Sequence, residues 1–185
     1  MHTGELCNTL ANIKIIKLLI MNHSVKNFKY VNYLWEESRA EALGDDQVEL
    51  FLYRSNILGA DLRITNYGGG NTSCKTVEKD PLTNEEVEVM WIKGSGGDIG
   101  TLNKAGIAGL YTERLRNLKN VYGGLADEDR MVGLFDHCIY DLESKAPSID
   151  TPLHGLLPFK HIDHLHPDAL IAVAAAKDSE KVTKE

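Results

Sequence analysis

Glycine is concentrated in one stretch of this 185-residue chain, and that stretch constrains the fold most. Seven of the sixteen glycines lie between residues 68 and 100. Within it, β-branched and aromatic residues predict strands over 73–77 and 87–93, and the polar sequence DPLTNEE between them predicts a turn. The pattern therefore indicates an antiparallel hairpin with glycines before its first strand and after its second. Because glycine allows close backbone approach, both glycine segments are candidate binding loops.

Helical patterns precede the hairpin. Residues 33–43 predict a helix that Gly44 ends, and Asp45 or Asp46 caps the next helix. Apolar residues at helical spacing mark the buried face of this second helix, which Gly59 is predicted to end. The apolar residues are Val48, Phe51, Leu52 and Ile57 or Leu58.

The second half of the chain predicts four more helices and one strand. The helices are expected over 112–118, 127–142, from Thr151 onward and over 168–176, and the strand over 161–166. The nine polar residues at the C-terminus are expected to fray. Helices that alternate with a mixed or antiparallel sheet indicate a layered α/β fold.

Composition and charge exclude several classes of protein. A net charge of −7 and a pI of about 5.5 disfavour a nucleic-acid-binding surface, which needs clustered Lys and Arg. The apolar stretch at 13–21 contains two lysines and is far shorter than the roughly 20 residues that span a bilayer. The three cysteines are far apart, which favours a reducing compartment. We therefore expect a cytoplasmic protein without a nucleic-acid or membrane partner.

Two histidines form the strongest candidate for a metal site. His164 and His166 are two residues apart, so on a strand both imidazoles face one side and can bind one divalent ion. His161 would face the opposite side, whereas His154, on the preceding helix, could come near. A zinc site needs at least three protein ligands, and the sequence shows no obvious third one. Two surface or hydrogen-bonded histidines are the alternative interpretation.

Neither glycine segment matches a nucleotide-binding motif. The sequence GGGNTSCKT (68–76) has Cys74 where a P-loop needs glycine, and a strand rather than a helix follows it. The sequence KGSGGD (93–98) is followed by Ile99, where the dinucleotide fingerprint needs its third glycine. Both segments can still present backbone N–H groups to an anion, and a pair of tight turns is the alternative.

The sequence APSIDTPLH (146–154) places two polar residues near a predicted helix start. Ser148 can donate a hydrogen bond to a phosphate oxygen. Asp150 could transfer protons as a base, or could only cap the helix that begins at Thr151. Taken alone, the local sequence favours the cap.

Four motifs together resemble the class II aldolase family, the metal-dependent sugar-phosphate aldolases that also include the adducin head. They occur in the family's order, as Gly70-Asn71-Thr72-Ser73, Lys93-Gly94-Ser95-Gly96, Pro147-Ser148-Ile149-Asp150 and His164-Leu165-His166. The resemblance covers roughly residues 28–173. Longer strings such as WIKGSG and SIDTPLHGLLPFKHIDHLHPDA are closer still to the aldolase part of a bifunctional rhamnulose-1-phosphate aldolase and short-chain dehydrogenase.

The resemblance implies an enzyme and assigns roles to residues. A divalent ion, most often zinc, would be held by His164 and His166 and would act as a Lewis acid. Asp150 occupies the position of the family's acid/base Glu, with a side chain one methylene shorter. The phosphate of a ketose 1-phosphate would lie in a cradle of donors formed by Asn71, Ser95, Gly96 and Ser148.

The resemblance also implies an architecture and an assembly. The expected fold is a layered α/β/α domain around a central mixed or mainly antiparallel sheet, incomplete at its C-terminus. The expected domain occupies 28–176 and is followed by a polar tail at 177–185. An extension at 1–27 precedes it, and Met21 within this extension could be the true first residue. The expected reaction cleaves rhamnulose 1-phosphate to dihydroxyacetone phosphate and lactaldehyde, and the complete protein is expected to be a homotetramer.

The chain departs from the family pattern near its end. The family's third metal histidine follows the His-x-His by a long interval, and no such segment is present before residue 185. Strands that complete the family's sheet and the dehydrogenase half of the fused branch are also absent from the sequence. These departures predict a C-terminally truncated aldolase of weakened or no activity. A non-catalytic, adducin-like binding module is the alternative, as is an aldolase or epimerase for another sugar phosphate.

Overall fold

A computed structural model of the chain describes residues 33–184. The predicted extension at 1–27 and its apolar stretch lie outside the described residues. Seven helices are described, which we number α1 to α7. They are α1 Glu37–Leu43, α2 Gln47–Ala60, α3 Thr112–Asn117, α4 Glu128–Gly133, α5 Thr151–Leu156, α6 Asp168–Ala175 and α7 Ser179–Lys184.

The strands form one antiparallel sheet. They are β1 Asn71–Lys79, β2 Glu86–Lys93, β3 Ile107–Tyr111 and β4 His161–His164, and their spatial order is β3-β2-β1-β4. The predicted hairpin is confirmed as β1 and β2, which pair in a register that sets Ser73 opposite Ile92. The short strand β4 lies at one edge and pairs only with β1 among the described strands. The layered α/β fold expected from the sequence is therefore present.

Each face of the sheet carries its own apolar cluster. On the face covered by α2, Phe51 and Leu52 pack with Cys74 and Ile107. On the other face, Met90 and Ile92 of β2 and Leu110 of β3 pack with a larger set of residues. That set is Ala108, Leu115, Leu118, Met131, Phe135 and Cys138. We call these the α2 face and the α5 face, because α5 lies over the second one through His154, which contacts Ser73 of β1.

The predicted long helix at 127–142 is wrong. Helix α4 ends at Gly133, and a 3₁₀ turn over Phe135–Cys138 follows it. The chain then extends along β3, where the Tyr140 N–H donates to the Gly109 carbonyl at 2.8 Å and Ile139 bridges to Leu110. Strand β3 was not predicted, and pairing with it outweighs the helical spacing of the apolar residues.

Helix α2 confirms its predicted start and corrects its predicted end. The Asp46 carboxylate accepts hydrogen bonds from the N–H groups of Val48 and Glu49, both at 3.0 Å. Gly59 does not end the helix, which runs to Ala60. A Cβ atom at Gly59 would lie 2.1 Å from the Gly100 nitrogen, so this glycine serves a close approach between α2 and the loop after β2.

The C-terminal part also differs from expectation. The predicted helix at 168–176 is present as α6, and none of its residues is buried. The polar tail, expected to fray, forms α7 instead. Within residues 33–184 no helix combines the length and the apolar content needed to cross a membrane.

Candidate metal and anion site

The two candidate metal ligands lie side by side at the end of β4. The strand ends at His164, two residues earlier than predicted, because the backbone of His166 bonds elsewhere. Its N–H donates to Thr65 Oγ1 at 3.3 Å and its carbonyl accepts from the Asn66 N–H at 2.9 Å. The two imidazoles still face each other, with Nε2 atoms 3.1 Å apart and ring centroids 4.6 Å apart.

This spacing fits two nitrogen ligands of one ion. With metal–nitrogen distances of about 2.0–2.1 Å, an Nε2–Nε2 separation of 3.1 Å corresponds to an angle of roughly 100° at the metal. The same separation also fits a hydrogen bond between the rings. Among residues 33–184, no group of three or more His, Cys, Asp or Glu side chains is arranged to hold an ion. The described residues thus fit a metal as a two-histidine half-site.

Asp150 lies beside this pair and does not cap its helix. It occupies the N-cap position of α5, yet its side chain accepts no hydrogen bond from the backbone of that helix. Its carboxylate instead accepts from Ser148 Oγ at 3.3 Å, and its Oδ1 lies 3.7 Å from His164 Nδ1. The arrangement points the carboxylate at the ring nitrogen of His164 that is not in the Nε2 pair.

Asn71 enters the site from β1. It pairs with His164 across the β1–β4 ladder, so both side chains project from the α5 face. Asn71 is fully buried, and neither its Oδ1 nor its Nδ2 finds a partner among the described residues. A buried amide without partners costs about 1–3 kcal/mol, which a polar ligand or water would offset.

Unpartnered buried polar atoms are concentrated around these residues. Five of the seven such side-chain atoms in the described part of the chain belong to the site or its immediate neighbours. They are Asn71 Oδ1, Asn71 Nδ2, Thr151 Oγ1, His154 Nε2 and His164 Nδ1. This part of the fold therefore offers hydrogen-bonding capacity that the protein itself leaves unused.

The three candidate anion-binding segments meet at the same end of the sheet. The Gly68 N–H donates to Asp98 Oδ1 at 2.8 Å, which links the two glycine loops. Gly94 bridges to Pro147, and the Ser95 N–H donates to the Ala146 carbonyl at 2.8 Å. The loop with Ser95 and Gly96 is thus tied to the segment that carries Ser148. Since the Ser95 N–H is already bonded, only its hydroxyl is available to an anion.

Among the described residues, neither of the other two histidines considered as ligands forms a three-ligand group with the Nε2 pair. His161 is exposed and pairs with Cys74, whose side chain is on the α2 face. His154 is fully buried, and its Nδ1 lies 2.7 Å from Ser73 Oγ. Burial lowers the pKa of His154 to about 4, although Asp150 opposes the shift. His154 is therefore a neutral link between α5 and β1.

Lys93 is a residue that the sequence analysis named only as part of a motif. It ends β2 directly before the second glycine loop and is 5% exposed. Burial lowers the pKa of its ammonium group, while Asp150 and Asp98 raise it. No hydrogen bond or ion pair of this ammonium group with another described residue is present. A lysine at the end of an apolar strand is the signal that could have identified it.

Comparisons with known proteins concern the family and the fold of the chain. Residues 52–185 match the family described as the class II aldolase and adducin N-terminal domain. The chain is 41% identical over 155 residues to YuxG, an uncharacterized oxidoreductase of Bacillus subtilis (strain 168). That alignment covers 84% of this chain and 22% of YuxG, so the chain spans about a fifth of that relative's length.

A solved structure has the same fold. It is the N-terminal class II aldolase domain of a conserved protein from Thermoplasma acidophilum, with a TM-score of 0.69 and 26% identity. The similarity covers 83% of this chain and 69% of that one. Because the family match extends over well more than half of the residues, the chain belongs to the class II aldolase and adducin N-terminal domain family.

Proposed function

We propose that this site serves metal-dependent aldol cleavage of a ketose 1-phosphate. One observation carries the proposal. His164 and His166, whose Nε2 atoms are 3.1 Å apart, lie beside the carboxylate of Asp150, which does not cap its own helix. Family membership supports an aldolase-type reaction. The residues of the site are those that the four sequence motifs name.

The two histidines would hold a divalent ion, for which zinc is the proposed identity. Such an ion supplies Lewis-acid stabilisation of negative charge that develops on a substrate oxygen. Within this chain, the β1–β4 ladder places His164 opposite Asn71, and Thr65 and Asn66 bond the backbone of His166. The role of these residues is to hold two ring nitrogens at a fixed spacing before substrate arrives.

Asp150 is proposed as the proton-transferring group. Aldol cleavage breaks one C–C bond, removes a proton from the hydroxyl that becomes an aldehyde, and adds a proton to the carbon left on the phosphorylated fragment. A carboxylate free of its helix N-terminus can take and return a proton. Without a ligand, the Ser148 hydroxyl donates to Asp150 Oδ2 at 3.3 Å and orients that carboxylate. Because a hydroxyl has one proton, Ser148 would give up this bond when it donates to the phosphate.

The phosphate is proposed to lie against Asn71, Ser95, Gly96 and Ser148. Support comes from the links between the two glycine loops and the 146–150 segment, and from the unpartnered amide of Asn71. Gly96 has φ +73°, and a Cβ atom built there would meet no atom within 4 Å, so its backbone faces open space. Lys93 would supply positive charge near an anion in a chain whose net charge is −7.

The proposed substrate is rhamnulose 1-phosphate, which would yield dihydroxyacetone phosphate and lactaldehyde. This choice rests on the sequence strings that resemble the bifunctional rhamnulose-1-phosphate aldolase branch. Another sugar phosphate, used by an aldolase or an epimerase, would fit the same donors. A homotetramer in the cytoplasm is the assembly and location proposed with this function.

A non-catalytic binding module is the second candidate. One observation favours it: residues 33–184 supply only a two-histidine half-site. A module of this kind would retain the fold and bind a partner without turnover. The presence of both histidines beside an Asp150 carboxylate that does not cap its helix favours the enzyme.

An assay of the intact wild-type protein separates the two functions, and one substitution then tests the role of Asp150. Asp150→Asn keeps the shape of the side chain and removes its titratable proton, so we expect cleavage of the ketose phosphate to fall at least ~100-fold. Zinc content and the free energy of unfolding should stay close to wild type. The matched control is Asp136→Asn, at an exposed aspartate in the 3₁₀ turn after α4, which should retain full activity.

Other outcomes would reject parts of the proposal. Retained cleavage in Asp150→Asn would move the acid/base role to another residue. Wild-type protein that binds zinc but cleaves no ketose phosphate would favour the binding module. Unchanged zinc content in the double variant His164→Ala, His166→Ala would remove the metal assignment.

A further inference from the structure

The strand that carries His164 is weakly held by its own backbone. Strand β4 has four residues, lies at the edge of the described sheet, and has β1 as its only described neighbour. Short edge strands belong to the parts of a protein that open most easily. A metal site nevertheless needs its ligands held to within a few tenths of an ångström. Something other than the ladder must therefore restrict β4.

A side chain from helix α2 reaches this strand. Arg54 Nη2 donates to the Ser73 carbonyl of β1 at 2.8 Å and lies 3.0 Å from Asp163 Oδ1 of β4. One guanidinium group thus joins three elements: the helix, an inner strand and the edge strand. The side chains of Arg54 and Asp163 are 20% and 31% exposed, so solvent screens this pair less than a fully exposed one.

The contact acts on the opposite face of β4 from the metal ligand. Asp163 pairs with Thr72, whose hydroxyl lies 2.7 Å from Ser55 Oγ of α2, so both residues belong to the α2 face. The next residue, His164, pairs with Asn71 and projects from the α5 face. Fixing Asp163 from behind therefore fixes the Cα position and direction of His164.

The same stretch of chain also holds the second ligand. After α2, Thr65 and Asn66 bond the backbone N–H and carbonyl of His166. The segment 54–66 therefore contacts both ligand positions. Its first residue, Arg54, holds the strand of His164, and its last residues, Thr65 and Asn66, hold His166. We propose that Arg54, acting through Asp163, is a positioning residue that sets the spacing of His164 and His166. This inference rests on the proposed function in taking a metal as the ligand.

The first test needs no metal. In Arg54→Met, hydrogen–deuterium exchange of the segment 161–166 should be about 10-fold faster than in wild type, while that of β2 is unchanged. The matched control is Arg116→Met, which removes the 2.8 Å pair between Arg116 and Glu88 that joins α3 to β2. This control should leave exchange in 161–166 unaltered. Equal exchange in Arg54→Met and wild type would overturn the proposal.

The second test measures zinc affinity by calorimetry and the absorption spectrum of the Co²⁺ form. Loss of a residue that orients a metal ligand typically costs 10- to 100-fold in affinity, so Arg54→Met and Asp163→Asn should each weaken binding about 10-fold. Their double variant should bind no more weakly than either single one, because both changes remove one link. Arg54→Lys, which keeps the charge and can reach one of the two acceptors, should recover part of the affinity.

The outcomes separate this inference from the proposed function. Additive losses in the double variant, or an equal loss in Arg116→Met, would make Arg54 a general contributor to stability and overturn the positioning role. A wild-type protein whose zinc binding does not depend on His164 and His166 would remove the proposed metal. The exchange experiment would then still decide whether Arg54 holds β4.

Discussion

Strands β1 and β2 are neighbours, yet they bury different chemistry. Over their ladder of seven residue pairs they share the same two faces. Strand β2 buries Val89, Met90 and Ile92, with Lys93 at its end, whereas β1 buries one apolar residue, Cys74, and four polar ones, Asn71, Thr72, Ser73 and Lys75. On the α5 face the contrast is sharpest, because the apolar Ile92 of β2 lies opposite the hydroxyl of Ser73, and the amide of Asn71 lies two residues further along β1.

The difference separates the part of the sheet that stabilises the fold from the part that carries chemistry. Burying an apolar side chain contributes about 1.5–3 kcal/mol, while burying an unpaired polar group has the opposite sign. The polar strand can exist because the apolar one pairs with it along most of its length. We therefore expect substitutions in the two strands to affect different measured quantities.

The largest effect on stability is expected on the apolar strand. Met90→Ala should lower the free energy of unfolding by about 2–5 kcal/mol, because Met90 is fully buried in the α5-face cluster and the change leaves a cavity. Denaturant titration measures this loss. The control is Val77→Ala on β1, where the side chain is 66% exposed and little loss is expected. Equal losses at both positions would abolish the contrast between the strands.

The next effect is a pH dependence of the free energy of unfolding, which we expect from His154, the partner of Ser73 on the polar strand β1. The pKa of His154 lies at about 4 in the folded protein against an ordinary value of 6.5. Between these values the unfolded chain binds more protons, so the free energy of unfolding should fall by roughly 3 kcal/mol as the pH drops from 6.5 to 4. Above pH 6.5 this contribution is fully present.

Unfolding of His154→Asn at several pH values measures that contribution. This variant should lose the part of the pH dependence that belongs to the imidazole, whatever its stability at neutral pH. An unchanged slope between pH 4 and 6.5 would show that other groups cause it.

A smaller effect is expected at the bond between β1 and α5. Ser73→Ala removes the partner of His154 Nδ1 and leaves the buried imidazole without a described hydrogen bond, which costs about 1–3 kcal/mol. Thermal unfolding measures the change. A Ser73→Thr variant, which keeps a hydroxyl, serves as the comparison; loss of the same size in both would point to packing rather than to the hydrogen bond.

The smallest effect on stability is expected at Asn71. Asn71→Ala removes a buried amide that has no described partner, which is favourable, but it also leaves a cavity, which is unfavourable. These effects oppose each other, so the free energy of unfolding should change by about 1 kcal/mol or less. If Asn71 belongs to the proposed phosphate cradle, the affinity of the variant for inorganic phosphate, measured by calorimetry, should be about 10-fold lower than that of wild type. A large loss of stability would mean that Asn71 serves the fold rather than a ligand.

The sequence predicted the elements whose signals are local. The hairpin, the Asp46 cap and the helix after residue 168 follow from alternation, a capping carboxylate and helical spacing. The failures occur where contacts distant in sequence decide. Gly59 has the residue type of a helix end, yet it lies inside α2 because Gly100, far along the chain, approaches it. The stretch after Gly133 leaves its helical pattern because β3 offers backbone partners.

The same limit applies to the site. Residue types and motif order were sufficient to nominate His164, His166 and Asp150, since their chemistry is visible in the sequence. The spacing of the two histidines also predicted that their imidazoles face one side, as they do, but it did not predict where Asp150 lies. Whether Asp150 caps its helix or faces His164 depends on the placement of β4 against α5. The roles of Ser73 and Arg54 depend on which strand lies beside which, and no spacing in the sequence reports that.

The contact between Gly59 and Gly100 has a consequence for mutational scanning. Asn56, on the same helix, donates to the carbonyls of Ile99 and Leu102 and holds the loop after β2 against α2. The space between Gly59 and Gly100 is therefore too small for a Cβ atom. Any side chain at position 59 displaces the loop whose Asp98 bonds Gly68. A deep scan scored on ligand binding would therefore rank position 59 among the most intolerant, although Gly59 is not one of the proposed ligand-binding residues.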